Sequence, residues 1–218
     1  GTVPRMSPAT QTPPRERVTR GTGTGLGKPW RVIVRNDNHN TFQGVAFMVA
    51  DMAIEVEAAT LMALRVAKAT DHMGKDAQQT AFARVATPIA KFFNCSRAPA
   101  IANEALQCHG GNGFIEENPM ARIYREAPLN SIWEGSGNVQ CLDVLRAMVK
   151  NPDSVEAFFA EVGEAAGEPR LDDYVSELRS DLTDMTGIES RARRLVERMA
   201  LALQGSLVLR FGDEAVAD

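Results

Sequence analysis

Apolar residues recur at helical spacing through most of the chain after residue 45, and this pattern constrains the fold more than any other feature. Between Val45 and Ala69 the apolar positions fall three or four residues apart, while Glu55 and Arg65 fall off that stripe. Such spacing places apolar side chains on one face of a helix and predicts that this face is buried. We therefore predict an all-α body, built as a helical bundle.

Short breaks divide the helical pattern into separate elements. The sequence at 72–76 ends the first helix, and Asn151-Pro152 ends a later one, with Asp153 or Ser154 as the expected cap of the next. After the first helix, we predict helices at Ala77–Gln107, Met120–Glu126 and Val139–Lys150, the first of these interrupted or kinked at Pro88 and Pro99. Three further helical segments follow, separated at 167–169 and near Gly187.

The last of these helices, Glu189–Phe211, is strongly amphipathic. One face carries four large apolar residues, Leu195, Met199, Leu203 and Leu207. Three arginines, Arg191, Arg194 and Arg198, fall largely away from that face. The apolar face is expected to be buried against the rest of the bundle.

The first 29 residues differ in composition from the rest. They hold five of the eleven prolines and few large apolar side chains, so we predict a disordered tail. The glycine-rich run at 21–28 is not a phosphate-binding loop, because Thr22 stands at its first glycine and Pro29 at the magnesium-binding position. A flexible linker is the preferred interpretation. Residues 30–35 predict a short strand, residues 36–40 a turn, and Thr41 a helix cap.

Charge and cysteine content exclude several classes of function. The net charge is −4, with 24 Lys+Arg against 28 Asp+Glu, which gives no whole-chain attraction to nucleic acid or anionic lipid. Three cysteines and three histidines without paired spacing predict neither a zinc site nor a disulfide framework. No apolar run approaches the ~20 residues of a membrane span. We expect a cytoplasmic protein without a membrane partner, and a piece of something larger, since it lacks an initial Met and stops within a helical pattern.

Two segments have a glycine and polar content that helix packing does not explain, namely 107–114 and 131–140. Glu134 follows Ile132-Trp133, and desolvation against these side chains would raise its pKa towards that of a general base. Gly135 would offer an unobstructed N–H. The alternative from spacing alone is an ordinary helix start, with Gly135–Asn138 as a turn.

Both segments resemble motifs of the acyl-CoA dehydrogenase family. The run 123–138, with Arg125-Glu126 followed by Trp133-Glu134-Gly135-Ser136, resembles the family's catalytic segment. The spacing Gln107-x-x-Gly110-Gly111-x-Gly113-Phe114 resembles the flavin-contacting loop at the expected distance upstream. The continuation 141–146 looks most like the DNA-alkylation-response, AidB-like branch. The resemblance covers residues 50–218 and implies the C-terminal helical domain of a flavoenzyme.

That resemblance implies a role for each residue of the catalytic segment. Glu134 would remove the α-proton of an acyl-CoA while a hydride passes to FAD, and the Gly135 N–H would hold the thioester carbonyl. Ser136 and Asn138 would contact the FAD. Arg146 would lie near the active site and restrict the acyl pocket, although an ordinary helix-surface arginine explains it equally well.

The resemblance also implies an assembly. Gln107, Gly110 and Gly111 would contact the FAD of a neighbouring subunit, so a homo-oligomer is expected. The N-terminal helical domain and the β-domain of the family are absent, and the isolated chain is therefore expected to be inactive. The predicted organisation is a disordered tail at 1–29, a strand–turn–helix start at 30–49, the helical bundle at 50–150 and additional C-terminal helices at 151–218.

Two other functions compete with the flavoenzyme. The AidB-like branch is associated with DNA through its C-terminal helices, but residues 150–218 hold 8 Lys+Arg against 15 Asp+Glu, which disfavours DNA. Only the face from Arg191 to Arg198 offers clustered positive charge. Residues 30–48 resemble the opening strand and turn of the Clp protease adaptor ClpS, with Asn36 and Asp37 matching its turn and Asn38 replacing an acid. The preferred interpretation of this stretch is a join near Met48–Asp51 between fragments of two genes, and an ordinary strand and turn without function is the alternative.

Overall fold

The computed structural model of the chain describes residues 39–213 and 216. Contacts divide the chain between Phe47 and Met48, and the core and the sites below lie in the second unit. The described residues form seven α-helices and no β-strand, which confirms the predicted all-α class. The helices are α1 (His39–Asp71), α2 (Ala77–Cys108), α3 (Pro119–Glu126), α4 (Gly137–Lys150), α5 (Asp153–Gly163), α6 (Pro169–Thr183) and α7 (Ile188–Phe211), with 3₁₀ turns at Gly110–Gly113 and Ala127–Ser131.

The structure corrects two predicted helix starts. Helix α1 begins at His39, so Thr41 lies inside the helix instead of capping it. Helix α5 begins at Asp153 with Pro152 before it, and no side chain caps its first turn. The hydroxyl of Ser154 instead donates to the carbonyl of Asn151 at 2.6 Å. The predicted tail at 1–29 and strand at 30–35 lie outside the described residues.

Helix α2 is the central element of the bundle. Eight of the twelve residues from 82 to 93 are buried, including Phe82, Ile89 and Phe92. A helix that is apolar on nearly every side needs neighbours all round, and α2 contacts α3, α4, α5 and α7. It continues through Pro88 and Pro99, so the predicted interruption does not occur. Packing on all sides offsets the hydrogen bond that each proline removes.

Helix α7 follows its sequence prediction closely. The four apolar residues of its predicted inner face are at most 1% exposed and join the same core as α2 and α4, namely Leu195, Met199, Leu203 and Leu207. Arg198 does not point away from the bundle. Its guanidinium lies over the Tyr174 ring at 4.9 Å and pairs with Asp181 and Glu177 of α6.

A cluster of three charged side chains connects α1, α5 and α7. Glu161 accepts from Arg65 Nη2 at 2.5 Å and from Arg210 Nη1 at 2.9 Å. The Arg65 guanidinium also lies 4.3 Å from the centroid of the Phe82 ring on α2. Arg65 and Glu161 are each 11% exposed at the side chain, so solvent screens this cluster weakly.

Replacing Leu203 by alanine tests the apolar face of α7. The residue is fully buried, and we expect Leu203→Ala to lower the free energy of unfolding by about 2–5 kcal/mol, since a cavity remains where the side chain was. Leu201, on the same helix, is 45% exposed. Leu201→Ala is the matched control and should change stability by no more than about 0.5 kcal/mol in urea unfolding. If the two variants changed stability equally, the burial of Leu203 in the core would be contradicted.

The charged cluster predicts a pH dependence of stability. Burial opposes the ionisation of Glu161, but the hydrogen bonds from Arg65 and Arg210 outweigh it and hold its pKa below the ordinary 4.5. A carboxylate whose pKa is lowered on folding stabilises the folded state above about pH 4.5, and this contribution is lost as the pH falls through the folded pKa.

Glu161→Gln should therefore lower the free energy of unfolding at pH 7 by about 1.5–3 kcal/mol, because two charged donors lose their anionic partner. The difference from the unmodified chain should shrink below about pH 4.5 in urea unfolding measured across pH. Glu164 is exposed at the end of α5, so Glu164→Gln is the control. A difference that stays constant from pH 7 to pH 3 would contradict the prediction.

Candidate active site

The turn that carries Glu134 lies between the second 3₁₀ turn and α4. Glu134 has φ 54° and Gly135 has φ 99°, two successive residues in the left-handed region. Among the described residues Glu134 is the one non-glycine with a positive φ. A bulky residue rarely adopts this conformation, and such residues concentrate at functional sites. The backbone therefore marks this turn independently of any motif.

Two side chains hold the carbonyl groups of this turn. Lys91 Nζ of α2 donates to the carbonyls of Trp133 at 2.8 Å and Gly135 at 2.7 Å. Gln140 Nε2, in the first turn of α4, donates to the carbonyl of Glu134 at 2.9 Å. Three consecutive carbonyls are thus bound by side chains of α2 and α4.

The Glu134 side chain is exposed, which corrects one expectation. The predicted apolar surroundings are not formed, because Ile132 is 62% exposed and Trp133 is 54% exposed. Within the described residues, no acceptor takes a hydrogen bond from the Gly135 N–H. The turn therefore combines an exposed Glu134, two exposed apolar side chains and a backbone N–H that has no acceptor among the described residues.

Ser136 and Asn138 lie at the start of α4, next to this turn. Ser136 is the N-cap of α4, and no side chain caps the helix there. Both side chains are exposed, and Asn138 Oδ1 accepts from Arg193 Nη1 of α7 at 3.2 Å. Helix N–H groups without a side-chain cap are suited to a polar or anionic ligand.

Gln107, Gly110 and Gly111 lie together at the end of α2 and in the 3₁₀ turn that follows. All three are exposed, and Gly110 has φ 57°. A Cβ at Gly110 or Gly111 would meet no atom within 4 Å, so packing inside this chain does not explain these two glycines. Gly113 differs, because a Cβ there would lie 2.5 Å from the carbonyl oxygen of Leu106.

Arg146 does not lie in the Glu134 turn. It follows Gly137 by nine residues on α4, about 14 Å along the helix axis. Its guanidinium pairs with Asp143 at 2.5 Å, and it lines a groove of about 590 Å³ with Met185 and Ile188. The predicted role of Arg146 at the acyl pocket stays a prediction.

Sequence reasoning assigned no role to three residues at this site: Lys91, Gln140 and Arg193. Lys91 interrupts the buried part of α2, and a polar stripe of Arg84, Thr87 and Lys91 was visible in the sequence. The spacing of this stripe shows which face of α2 lies away from the core. It does not show that the ammonium group of Lys91 reaches the Glu134 turn, 42 residues further along the chain. The guanidinium of Arg193 lies 5.1 Å from the centroid of the Phe92 ring, another contact that requires the fold.

The arginine face of α7 is engaged with acidic side chains. Arg191 pairs with Asp184 at 3.3 Å, and Arg194 lies 3.8 Å from Asp181, which also binds Arg198. Such pairing leaves little positive charge for phosphate groups. Across the described part of the chain, no group of His, Cys, Asp and Glu could hold a metal ion. No helix in that part is long and apolar enough to span a bilayer.

Known proteins are similar in sequence to much of this chain. A family model described as acyl-CoA dehydrogenase, C-terminal domain, matches residues 34–149. The chain is 35% identical over 171 residues to the putative acyl-CoA dehydrogenase AidB of Escherichia coli strain K12, which covers 78% of this chain and 31% of that protein. It is 34% identical over 111 residues to the probable acyl-CoA dehydrogenase YngJ of Bacillus subtilis strain 168, which covers 51% and 27%. The chain thus spans about a third of these relatives.

A solved structure shows the same fold. The crystal structure of Caenorhabditis elegans ACDH-11 in complex with C11-CoA matches with a TM-score of 0.69 at 22% identity, over 79% of this chain and 33% of that one. The adaptor resemblance at 30–48 is unsupported, because the family match already begins at residue 34. Because the family model matches more than half of its residues, this chain belongs to the acyl-CoA dehydrogenase family.

Proposed function

We propose that this chain is the C-terminal helical domain of a cytoplasmic, FAD-dependent acyl-CoA dehydrogenase of the AidB-like kind, with Glu134 as the catalytic base. The observation that carries the proposal is the turn at the start of α4. It holds Glu134 and Gly135 in left-handed conformations, with Glu134 exposed and the Gly135 N–H without an acceptor among the described residues. A base and an oxyanion donor on adjacent residues suit proton abstraction next to a thioester carbonyl.

The residues present fit a flavin dinucleotide. Ser136 and Asn138 are exposed at a helix start that has no side-chain cap, which suits the polar edge or the phosphates of such a ligand. Gly110 and Gly111 leave open space where a Cβ would stand, so a flat ligand could approach the backbone closely. FAD, when bound, would accept the β-hydrogen of the acyl group as hydride.

In this proposal the chain's own residues position and deprotonate the substrate. The Glu134 carboxylate takes the α-proton and becomes the carboxylic acid. The Gly135 N–H donates to the thioester oxygen and stabilises the negative charge that develops there. Trp133, which is 54% exposed in the isolated chain, would be covered by substrate and by the rest of the protein.

The proposal includes a homo-oligomer that shares FAD between subunits. Gln107, Gly110 and Gly111 are exposed at the end of α2, a segment separate from the Glu134 turn. Their function would be to contact the FAD of a neighbouring subunit. Since the chain spans about a third of its relatives, it is expected to be inactive alone.

Titration with FAD tests the flavin contacts. We expect saturable binding, followed by flavin fluorescence and the visible spectrum, and we expect Gln107→Ala to weaken it at least about tenfold, as a lost polar contact of about 1.4 kcal/mol does. Gln78 is exposed near the start of the same helix, so Gln78→Ala is the matched control and should bind as the unmodified chain does. No binding by a folded chain would contradict an intact FAD half-site.

The role of Glu134 is tested in a complete enzyme, made by joining this chain to the N-terminal two thirds of the Escherichia coli relative. Glu134→Gln should lower kcat by about 10²–10⁴-fold, the usual contribution of general acid–base catalysis, with an unchanged flavin spectrum. Glu117 is exposed in the loop before α3, and Glu117→Gln is the control. Equal activity of the two variants would rule out Glu134 as the catalytic base.

A further inference from the structure

The turn at 133–135 adopts a conformation that its own sequence does not favour. Glu134 has a Cβ, which approaches the backbone too closely in the left-handed region, so an isolated peptide would populate this φ of 54° rarely. The residue nevertheless lies here in an exposed segment where core packing does not impose the conformation. Contacts from elsewhere in the chain must stabilise it.

Lys91 provides the first of these contacts. Its two acceptors are the carbonyls of Trp133 and Gly135, which lie on either side of Glu134. No carboxylate lies within salt-bridge distance of Lys91 among the described residues, so these two carbonyls are its only partners there. A charged donor binds carbonyls more strongly than a neutral one, and one ammonium group can bridge two of them. This bridge fixes the distance between the carbonyl oxygens of Trp133 and Gly135, on either side of Glu134.

Gln140 provides the remaining contact. Its Nε2 binds the carbonyl of Glu134, which lies between the two that Lys91 binds. A Cβ at Gly135 would lie 2.6 Å from this nitrogen, so the glycine is required for Gln140 to reach its acceptor as well as for the φ of 99°. All three carbonyls of the turn are therefore bound by side chains, and the Gly135 N–H has no hydrogen-bond acceptor among the described residues.

We propose that Lys91 and Gln140 are positioning residues, which hold Glu134 in its left-handed conformation by binding the three carbonyls of the turn. The importance of this geometry for catalysis rests on the proposed function. The conformation of the turn itself does not, and it can be measured in the chain without FAD or substrate.

The test is NMR spectroscopy of the chain with Glu134 labelled. A positive φ brings the amide proton close to Hα of the same residue, which gives a strong intraresidue NOE. We expect Lys91→Met and Gln140→Leu to weaken this NOE, and the double variant to abolish it. The amides of Ile132 and Trp133, which donate to the carbonyl of Leu129, should exchange about tenfold faster or more in the double variant as the turn opens.

Two controls separate positioning from general stability. Lys68 is exposed on α1, and Lys68→Met should leave the NOE and the exchange rates unchanged. Lys91→Arg keeps a charged donor that reaches both carbonyls and should restore the NOE that Lys91→Met loses. The thermal unfolding midpoint of each single variant should stay within a few degrees of the unmodified chain, which excludes global unfolding as the cause.

A strong NOE at Glu134 in the double variant would overturn the proposal, because the turn would then hold its conformation without either side chain. Loss of the NOE in Lys68→Met as well would also overturn it. If FAD fails to bind while the NOE behaves as expected, the flavoenzyme proposal fails and the positioning of the turn stands.

Discussion

Burial of α2 between residues 82 and 93 is the constraint on which the rest of the structure depends. Two thirds of these residues lie out of solvent, and they include three phenylalanines, Phe82, Phe92 and Phe93. No single neighbour could cover a surface that extends round the helix. Helices α4, α5 and α7 therefore pack against it. The N-cap at Asp76, whose carboxylate accepts from Gln79 N, fixes where this central helix starts.

The same constraint determines where the candidate active site forms. Lys91 lies on the polar stripe of this stretch of α2 and binds the Glu134 turn, and Phe92 beside it packs against the start of α4. A Cβ at Gly137 would lie 3.2 Å from the Phe92 ring, so glycine lets the two helices approach closely there. The core and the Glu134 turn are consequently built from adjacent residues of one helix.

Much of the fold could be predicted from the sequence because it follows from local periodicity. The breaks at 72–76 and near Gly187, and the buried face of α7, come from spacing and turn residues and are confirmed. An interruption or a kink was predicted at Pro88, and the interruption was wrong because one lost hydrogen bond was weighed without the packing that surrounds the helix. The kink stays a prediction. The predicted cap of α5 was also wrong, because it was chosen between two neighbouring residues from local sequence alone.

The candidate site was predictable only in part. Its motif marked Glu134 and Gly135, but the sequence could not show that Glu134 is exposed or that Lys91 binds the turn from a distant helix. Each of these depends on long-range packing, which no periodicity encodes. The assigned ligand roles themselves stay predictions.

The contact between Arg193 and Asn138 connects the helices beyond residue 150 to the proposed ligand surface. Arg193 belongs to α7, outside the segment at 34–149 that the family model matches, yet its guanidinium fixes the side-chain amide of Asn138 and stacks on Phe92. Helix α7 therefore contributes a charged donor to the start of α4 from outside the segment that the family model matches.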